Sequence, residues 1–274
     1  MFAATLTVFG LTACAPRSEA AEPGFVKVLA GTFDMGSTPG QPDLGYGVHA
    51  VTLTHDYFVA VTEVTQAEFQ ATMGYNSSEA TECGGQSLDA CPAETLTWHE
   101  AAAYANVTSD AASLPRCYTC SGSGLDIECE IDANPYECEG YRLPTEAEWE
   151  AAARCGSDSA WAGSDTSTDV AWTQENSEPG PYSSPHPVGG LSPNPCGIYD
   201  LSGNVWEWTQ DWKHPYPSDE VTDPGANDVI GDERVRRGGS YAEDDSAAVV
   251  SHRSSEPPTY ADHNLGCRLV RSNP

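Results

Sequence analysis

Cysteine content constrains the fold of this chain more than any other feature of its sequence. Ten cysteines occur among 274 residues, and Cys14 lies apart from the other nine. In an exported protein this density predicts a fold cross-linked by disulfides. The odd count of nine leaves one thiol free or bonded to a partner. The candidates for pairing are Cys83, Cys91, Cys117, Cys120, Cys129, Cys138, Cys155, Cys196 and Cys267.

Two groups of these cysteines are close in sequence. Cys83 and Cys91 flank a Gly-Gly turn, and a bridge between them would contribute about 2–3 kcal/mol by constraining the unfolded chain. The cysteine-rich insert 117–138 has too few apolar residues for a core of its own, which favours cross-links there. A zinc site is the alternative, because Cys117 and Cys120 have ligand spacing. A redox C-x-x-C motif is a third interpretation.

The N-terminal segment predicts export. Residues 1–13 (MFAATLTVFGLTA) resemble the apolar part of a secretory signal, and residues 11–14 (LTAC) resemble a bacterial lipobox. We therefore expect a lipoprotein-type signal peptide over 1–14, lipidation of Cys14 and a tether over 15–24. The membrane would be contacted through the lipid, on an outer-membrane, periplasmic or cell-surface face. No positive charge precedes Arg17, which departs from an ordinary signal, and a buried first strand is the alternative.

The charge balance excludes one class of partner. Lysine and arginine number 12 against 41 acidic residues, for a formal net charge of −29. A surface this acidic repels phosphate backbones, so we expect no nucleic-acid binding. It also disfavours a basic contact with anionic membranes. Hydrophobic residues make up 39% of the chain and include seven Trp, which is sufficient for a packed core.

The helix-start pattern T-x-x-E occurs three times, and in a capping box the two side chains satisfy each other's backbone N–H groups. Gly156 is placed to end the third helix. Alternating apolar residues predict a strand or hairpin over 25–37 and strands over 49–61, 205–208, 234–241 and 265–270. Helices and strands mix without repeats, which predicts a single α+β domain over 25–272. The three boxes begin at Thr65, Thr97 and Thr145.

Six segments, taken in order, resemble the formylglycine-generating enzyme, or sulfatase-modifying factor, family. They are 31–36 (GTFDMG), 61–65 (VTEVT), 141–150 (YRLPTEAEWE), 194–208 (NPCGIYDLSGNVWEW), 237–241 (RGGSY) and 264–268 (NLGCR). The resemblance implies a variant of the C-type lectin-like fold with little regular secondary structure and a surface groove.

The same resemblance implies an oxidation, but the residues disfavour the family's mechanism in this chain. Family enzymes oxidise a sulfatase cysteine to formylglycine with O₂, using two cysteines after the Arg-Gly-Gly-Ser motif that bind copper(I), an ion suited to soft thiolates. Here the first position falls on Glu243 and the second near Ala248. Copper is therefore not supported. Iron is also disfavoured, since none of the seven histidines forms an H-x-x-x-H or H-x-H pair.

Calcium is the cofactor that the resemblance favours. In the family, the ion is bound by the side chain at the Asp200 position, the carbonyls at Gly203 and Val205, and the Glu207 carboxylate. Hard oxygen ligands and a glycine turn suit calcium. The alternative is a plain hairpin that contributes tryptophans to the core. The family's other calcium site would start near Asn176, where the following segment is short and has no Asp.

Two pairings remain open for Cys155. The family often links the end of the third helix to the last strand, which implies Cys155–Cys267. Both candidates are shifted by two residues from the family positions. The rival is Cys155–Cys196, and the sequence does not choose between them.

The predicted groove contains Ser240, Tyr241, Glu243, His252 and Arg253. For Arg253 we expect a solvated Arg–carboxylate pair, and the functional alternative for the groove is recognition of a polar peptide or a glycan. Three functions follow. The first is a non-catalytic, calcium-stabilised binding module on a lipid anchor. The second is a metal-dependent oxidoreductase with a non-standard site, and the third is a structural envelope lipoprotein.

Overall fold

The computed structural model describes residues 22–37, 46–132, 134–177, 184–225 and 231–273. Its helices are α1 Gln66–Met73, α2 Trp98–Ala111, α3 Glu146–Arg154 and α4 Ser167–Val170. Its strands are β1 Phe25–Val28, β2 Gly31–Met35, β3 His49–Leu53, β4 Tyr57–Ala60, β5 Tyr118–Ser121, β6 Glu128–Ile131, β7 Tyr141–Arg142, β8 Ala171–Trp172, β9 Ser202–Gly203, β10 Trp206–Trp212, β11 Val221–Thr222, β12 Arg234–Arg237, β13 Arg253–Glu256, β14 Leu265–Gly266 and β15 Val270–Ser272. The expected α+β class with short elements is confirmed.

The strands form several small sheets rather than one large one. One four-stranded sheet has the order β1-β4-β15-β7, and another has the order β13-β12-β10-β14. A three-stranded sheet, β11-β3-β2, and two strand pairs, β5-β6 and β8-β9, complete the described pairing. Strand β10 pairs with β12 antiparallel and with β14 parallel, so it forms the centre of the sheet that supports the predicted groove.

All three predicted capping boxes are present. In each, the threonine hydroxyl accepts from the backbone N–H of the third helical residue, and the glutamate at that position accepts from the threonine N–H. The helices begin one residue after Thr65, Thr97 and Thr145, as predicted. Helix α3 ends differently, because Cys155 is its left-handed C-cap, with φ of 44°, and Gly156 follows it.

The strand or hairpin expected over 25–37 divides between two sheets. Strand β1 pairs with β4, whereas β2 pairs with β3. Val28 and Met35 are both buried, although they are seven residues apart. In one continuous strand an odd separation would place them on opposite faces, so the chain must break its alternation between them. Asp56 stabilises this break, since its Oδ1 accepts from Ala30 N at 2.8 Å.

The predicted tether ends earlier than expected. Residues 1–14 and most of 15–24 lie outside the described residues, but 22–24 contact the domain. Glu22 O accepts from Phe25 N, Gly24 O accepts from Val61 N, and the Tyr141 hydroxyl donates to the Glu22 carboxylate. The last three residues of the predicted tether therefore belong to the folded part.

The hydrophobic core contains buried ion pairs. Trp98, Trp149 and Trp208 are fully buried there, and so are Arg142, Arg237 and Arg268. Each of these arginines forms an ion pair with a buried glutamate of α3 or β10. Buried guanidinium groups of this kind are held by geometry and hydrogen bonds rather than by water.

Four disulfides confirm the cross-linked character of the fold. The pairs are Cys83–Cys91, Cys117–Cys138, Cys120–Cys129 and Cys155–Cys196. In the insert 117–138, the inner bridge lies within the outer one, so these four sulfurs are not zinc ligands. Cys155 pairs with Cys196, not with Cys267. Cys267 is a free, buried thiol.

No helix in the described ranges has both the length and the apolar character needed to cross a membrane.

Candidate functional site

The groove segment starts from a glycine pair that follows β12. Gly238 and Gly239 have φ values of 97° and 70°, a region that favours glycine. A Cβ at Gly239 would lie 2.6 Å from the backbone carbonyl carbon of Ala247. Glycine therefore lets residues 240–248 fold back closely against the end of β12.

Glu243 occupies the position expected for the first catalytic cysteine. Trp206 Nε1 lies 3.0 Å from both of its carboxylate oxygens. The Ser240 hydroxyl donates to Oε2, and Asn264 Nδ2 lies 3.5 Å from Oε1 and 3.0 Å from Ser240 Oγ. Three side chains thus hold the carboxylate as a hydrogen-bond acceptor.

Ala248 occupies the expected neighbourhood of the second catalytic cysteine. It ends a single turn of 3₁₀-helix, Asp245–Ala248, and is completely buried. A methyl group in the core has no ligand atom to offer. The two-thiolate arrangement that binds copper(I) in the family therefore has no counterpart in the side chains at these positions.

His252 and Tyr241 are two further residues of the predicted groove. The His252 ring is 5.7 Å from the Trp206 ring, and its Nδ1 lies 3.0 Å from Ala247 O. Burial is the main cause that lowers the pKa of His252, so the imidazole is neutral near pH 7. The buried Tyr241 directs its hydroxyl to His263 O at 3.2 Å.

Arg253 does not join this group. Its guanidinium is buried and forms an ion pair with Glu146 on α3. Because successive residues of an extended chain face opposite sides, Arg253 points away from the side of His252. It lines a separate cavity of about 330 Å³. The interpretation of Arg253 as a solvated ion pair is wrong, because both partners are buried.

A series of ring contacts connects the two regions. The rings of Trp206 and His252 are 5.7 Å apart, those of His252 and Tyr46 are 6.4 Å apart, and those of Tyr46 and Tyr216 are 6.3 Å apart. Tyr216 then contacts His49 at 4.8 Å. This aromatic row runs from Glu243 to the cavity and was not predicted, since its members are far apart in sequence.

The segment expected to bind calcium is buried beside β10. Asp200 is in the left-handed region with φ of 59° and accepts from Gly189 N at 2.7 Å. The Glu207 carboxylate accepts from Arg268 Nη2 at 2.6 Å and from Trp149 Nε1 at 2.7 Å. The peptide groups of Gly203 and Val205 lie between these two acids in sequence, and both residues are buried.

Glu63 is a third carboxylate of this cluster that sequence reasoning missed. It accepts from Asn204 Nδ2 at 2.6 Å and from Val205 N at 3.0 Å. Burial, followed by the charges of Asp200 and Glu207, raises the pKa of Glu63 well above its usual value. Glu63 lies in the 61–65 (VTEVT) segment, which is one of the six that carry the family resemblance.

The cluster holds more negative than positive charge. The carboxylates of Glu63, Asp200 and Glu207 surround one guanidinium, that of Arg268. Burial is the main cause that raises the pKa of Asp200 to about 6, and Glu207 adds to it. An excess of buried negative charge calls for protons or a bound cation. Hard oxygens are the ligands that calcium prefers, but both Glu207 oxygens already accept from Arg268.

Asn176, the weaker calcium candidate, forms a local turn. Its Oδ1 accepts from Thr173 N and its Nδ2 donates to Ala171 O, each at 2.9 Å. Residues 178–183, which the prediction also involved, lie outside the described residues. Across the described ranges, no group of three or more His, Cys, Asp or Glu side chains has an arrangement that would hold a metal ion. Calcium bound at either candidate position would therefore depend on backbone carbonyls.

The fold and its site define a class, a disulfide-linked variant of the C-type lectin-like fold. The model of the sulfatase-modifying factor enzyme 1-like domain matches residues 11–273. The chain therefore belongs to the sulfatase-modifying factor family.

Three similar proteins illustrate the range of the family. The chaperone protein LppX of Paenibacillus barcinonensis is 28% identical over 99% of this chain and 98% of its own length. The formylglycine-generating enzyme of Streptomyces coelicolor is 38% identical over 51% of this chain, and the match covers 49% of that enzyme. The structure of Treponema denticola variable protein 1 is 32% identical, with a TM-score of 0.81 over 91% of this chain and 95% of that one.

Proposed function

We propose that this protein is a non-catalytic binding module of the sulfatase-modifying factor family, exported, anchored by a lipid on Cys14 and stabilised by calcium. The observation that carries the proposal is which residues occupy the two positions where the family has its catalytic cysteines. Glu243 is held as an acceptor by Trp206, Ser240 and Asn264, and Ala248 is buried. A hydrogen-bonded carboxylate and a methyl group do not supply the thiolates that copper(I) requires.

The ligand is a polypeptide rather than a glycan. Full-length similarity to a protein named as a chaperone supports this choice. The aromatic row also supports it, because the partly exposed rings of His252, Tyr46 and Tyr216 continue outward from the buried Trp206. Extended aromatic surfaces suit polypeptide ligands, which contribute many small contacts.

Export and calcium rest on separate observations. Four disulfides are typical of an oxidising compartment, and the LTAC motif at 11–14 supports lipidation of Cys14. The calcium ligands are Asp200 and Glu207 with the carbonyls of Gly203 and Val205. The excess negative charge at Glu63 and Asp200 supports a cation there. When bound, calcium would neutralise these acids and hold the 200–207 turn in place.

The test is the metal content of the full chain, purified from an oxidising compartment. Calcium, copper, iron and zinc are measured together by mass spectrometry after dialysis against calcium buffer. We expect calcium alone, at about one per chain, because the 200–207 segment offers more oxygen ligands than the weaker candidate position near Asn176. Asp200→Asn should lose this calcium. Asp110→Asn removes an exposed acid that is paired with Arg116, and it should retain the ion.

Two results would contradict the proposal. Copper or iron bound at one per chain would favour the second function, a metal-dependent oxidoreductase with a non-standard site. That activity would be measured as oxygen consumption with cysteine-containing peptides. The third function, a structural envelope lipoprotein, would be favoured if neither a library of unstructured peptides nor a set of glycans binds the calcium-loaded protein. For the proposed module, peptide binding should weaken in His252→Ala.

A further inference from the structure

A second cavity lies beside the first and shares part of its wall. This space, the Lys213 cavity, has a volume of about 460 Å³. No aspartate or glutamate of the described ranges lines it, although acids outnumber lysine and arginine by 41 to 12 in the chain. Its basic and aromatic lining is thus an exception to the charge of the whole protein. The wall includes Tyr46, Lys213, His214, Pro215, Tyr216 and Arg253.

The ammonium of Lys213 has no acidic partner in the described part of the chain. The protein contains only two lysines, and the other one, Lys27, pairs with Asp56 at 2.8 Å. Lys213 is partly buried, and its Nζ lies 5.7 Å from the centroid of the Tyr46 ring. A partly desolvated ammonium that contacts a ring but no carboxylate marks a position that an anion would complete.

Arg253 brings a second positive charge to the cavity, but its donors are already in use. Its Nε and Nη2 donate to the Glu146 carboxylate, and its Nη1 donates to His214 O at 2.7 Å. Glu146 accepts from Arg237 as well, so one acid is shared between two arginines. Arg253 therefore contributes charge to the cavity, whereas Lys213 is the donor that remains available to a ligand.

Charged groups act on Lys213 from three other elements, and their sum is positive. Burial and then the charge of Arg253 lower the pKa of Lys213 to about 8. Glu146 opposes this shift less strongly than Arg253 promotes it, and Glu233 opposes it less strongly than Arg237 promotes it. The groups involved are Arg253 on β13, Arg237 on β12, Glu146 on α3 and Glu233 just before β12, with the neutral His252 beside β13 and His214 next in sequence.

Asp211 does not supply the missing counter-charge. It lines the first cavity and not the second, and its Oδ2 accepts from the backbone N of Glu146 at 2.6 Å. Ser240, Glu243 and His252 are also absent from the lining of the Lys213 cavity. The cavity is therefore distinct from the Glu243 groove, although the aromatic row reaches both.

We propose that the Lys213 cavity binds the carboxylate of an aromatic acid. The carboxylate pairs with the Lys213 ammonium, and the ring of the ligand packs against Tyr46 and Tyr216, whose own rings are 6.3 Å apart. A single available ammonium matches one negative charge, whereas a phosphate dianion takes several donors and suits an arginine fork. The fork of Arg253 is occupied by Glu146. A cavity of this size accommodates one small aromatic molecule.

Two sources supply this chemistry: the aromatic C-terminal residue of a polypeptide, and a free aromatic acid. The inference goes beyond the proposed function, because neither calcium, the lipid anchor nor Glu243 takes part in it. A binding module and an oxidoreductase could each carry such a cavity. Failure here leaves the binding-module proposal standing, and failure of that proposal leaves this cavity untouched.

The experiment is calorimetric titration of the full chain with 3-phenylpropionate, and with 3-phenylpropanamide as a neutral probe of the same shape. At pH 7 we expect the acid to bind at least about tenfold more tightly than the amide, because only the acid pairs with the ammonium. Above pH 8 the apparent affinity of the acid should fall about tenfold per pH unit, since Lys213 must then take up a proton on binding. Between about pH 6 and pH 8 it should level off, because both partners are charged there.

Lys213→Met and Lys27→Met form the matched pair of variants, since they remove the only two lysines one at a time. Methionine keeps most of the apolar length of the lysine stem, and near-UV circular dichroism checks the fold. Lys213→Met should bind the acid at least about tenfold more weakly at pH 7 and lose the pH dependence, while its affinity for the amide stays the same. Lys27→Met should bind as the unaltered chain does.

A third titration distinguishes the sources. Tighter binding of acetyl-Gly-Phe with a free C-terminus than of 3-phenylpropionate would identify a polypeptide terminus, and the reverse order would identify a free acid. Equal affinity for acid and amide in the unaltered chain would overturn the proposal, as would unchanged acid binding in Lys213→Met. Absence of binding by both acids at pH 7 would overturn it as well.

Discussion

Two clusters of buried charge lie on either side of Trp149 and differ in their balance. Around α3, Glu146 and Glu150 pair with Arg154, Arg237 and Arg253. Around β10, the acids Glu63, Asp200 and Glu207 share Arg268. Trp149 joins the two clusters, since its Nε1 donates to Glu207 and Arg237 lies 5.0 Å from its ring.

The difference separates two uses of a buried acid. In the α3 cluster every carboxylate has an arginine partner, and the pairs fix the helix against β12 and β13. The β10 cluster is not complete, and its charge excess coincides with the segment where the family binds calcium. A buried acid that lacks a counter-charge therefore points to a ligand more reliably than a buried acid that has one.

The largest effect should come from removing the arginines. Arg268→Met leaves three carboxylates without a counter-charge, and we expect a loss of about 3–5 kcal/mol of unfolding free energy. Arg237→Met should cost less, about 2–3 kcal/mol, because Arg253 and Arg154 still pair with the two acids of α3. Urea denaturation measures both. Arg116→Met, which removes an exposed guanidinium, is the control and should not change stability. Equal losses at positions 268 and 237 would contradict the comparison.

Calcium should stabilise only the β10 cluster. At calcium concentrations about 100-fold above the Kd, we expect about 3 kcal/mol more unfolding free energy than in a chelator. Asp200→Asn should remove this increment, and Glu150→Gln, in the α3 cluster, should keep it. The measurement is urea denaturation with calcium and with EGTA. Unfolding curves of the unaltered chain that coincide under both conditions would count against the site.

Asp211 borders the α3 cluster, where its Oδ2 accepts from Glu146 N, and its pKa predicts a pH effect. Its folded pKa of about 7 exceeds the ordinary aspartate value, so the folded state binds a proton more tightly than the unfolded state. The stability linked to this group is therefore greatest in acid and falls as pH rises from about 4 to about 7. Allowing for partial exposure, we expect a loss on the order of 2 kcal/mol. Asp211→Asn should flatten this part of the stability curve, and an unchanged curve would refute the assignment.

The smallest effect should be seen at Cys267. Burial is the main cause that raises the pKa of this thiol, and Glu207 and Glu63 add to it. The thiolate that reacts with alkylating agents is therefore scarce in the folded protein. Peptide mass spectrometry should find Cys267 unmodified by iodoacetamide at pH 8 until denaturant is added. Rapid alkylation of the folded chain would show that the β10 cluster is open to solvent.

Local signals in the sequence were the most informative. The T-x-x-E boxes at Thr65, Thr97 and Thr145 identified all three longer helices, because capping depends on residues only three positions apart. The assignment of the family's cysteine positions to Glu243 and Ala248 stays a prediction, because it rests on the sequence match alone. The division between β1 and β2 was missed, since it depends on which distant strands pair.

Contacts between distant segments were not accessible to the same reasoning. Arg253 belongs with Glu146, 107 residues away, and nothing near it in sequence indicates that partner. Asp211 and His49 meet at one cavity only because β3, α3 and β10 converge there. The choice of Cys196 over Cys267 as the partner of Cys155 also depends on this convergence.

The disulfide pairing has a consequence for how the chain matures. In sequence order, the first bridge joins residues 83 and 91, and the last joins residues 155 and 196. Between them, the bridge from 120 to 129 lies within the bridge from 117 to 138. None of these loops interleaves with another. A chain that emerges from a translocation pore N-terminus first can thus close each loop soon after its second cysteine appears. Cys267 would emerge last, after every correct partner has been taken, so for the exported chain proposed above we expect little reshuffling by an isomerase.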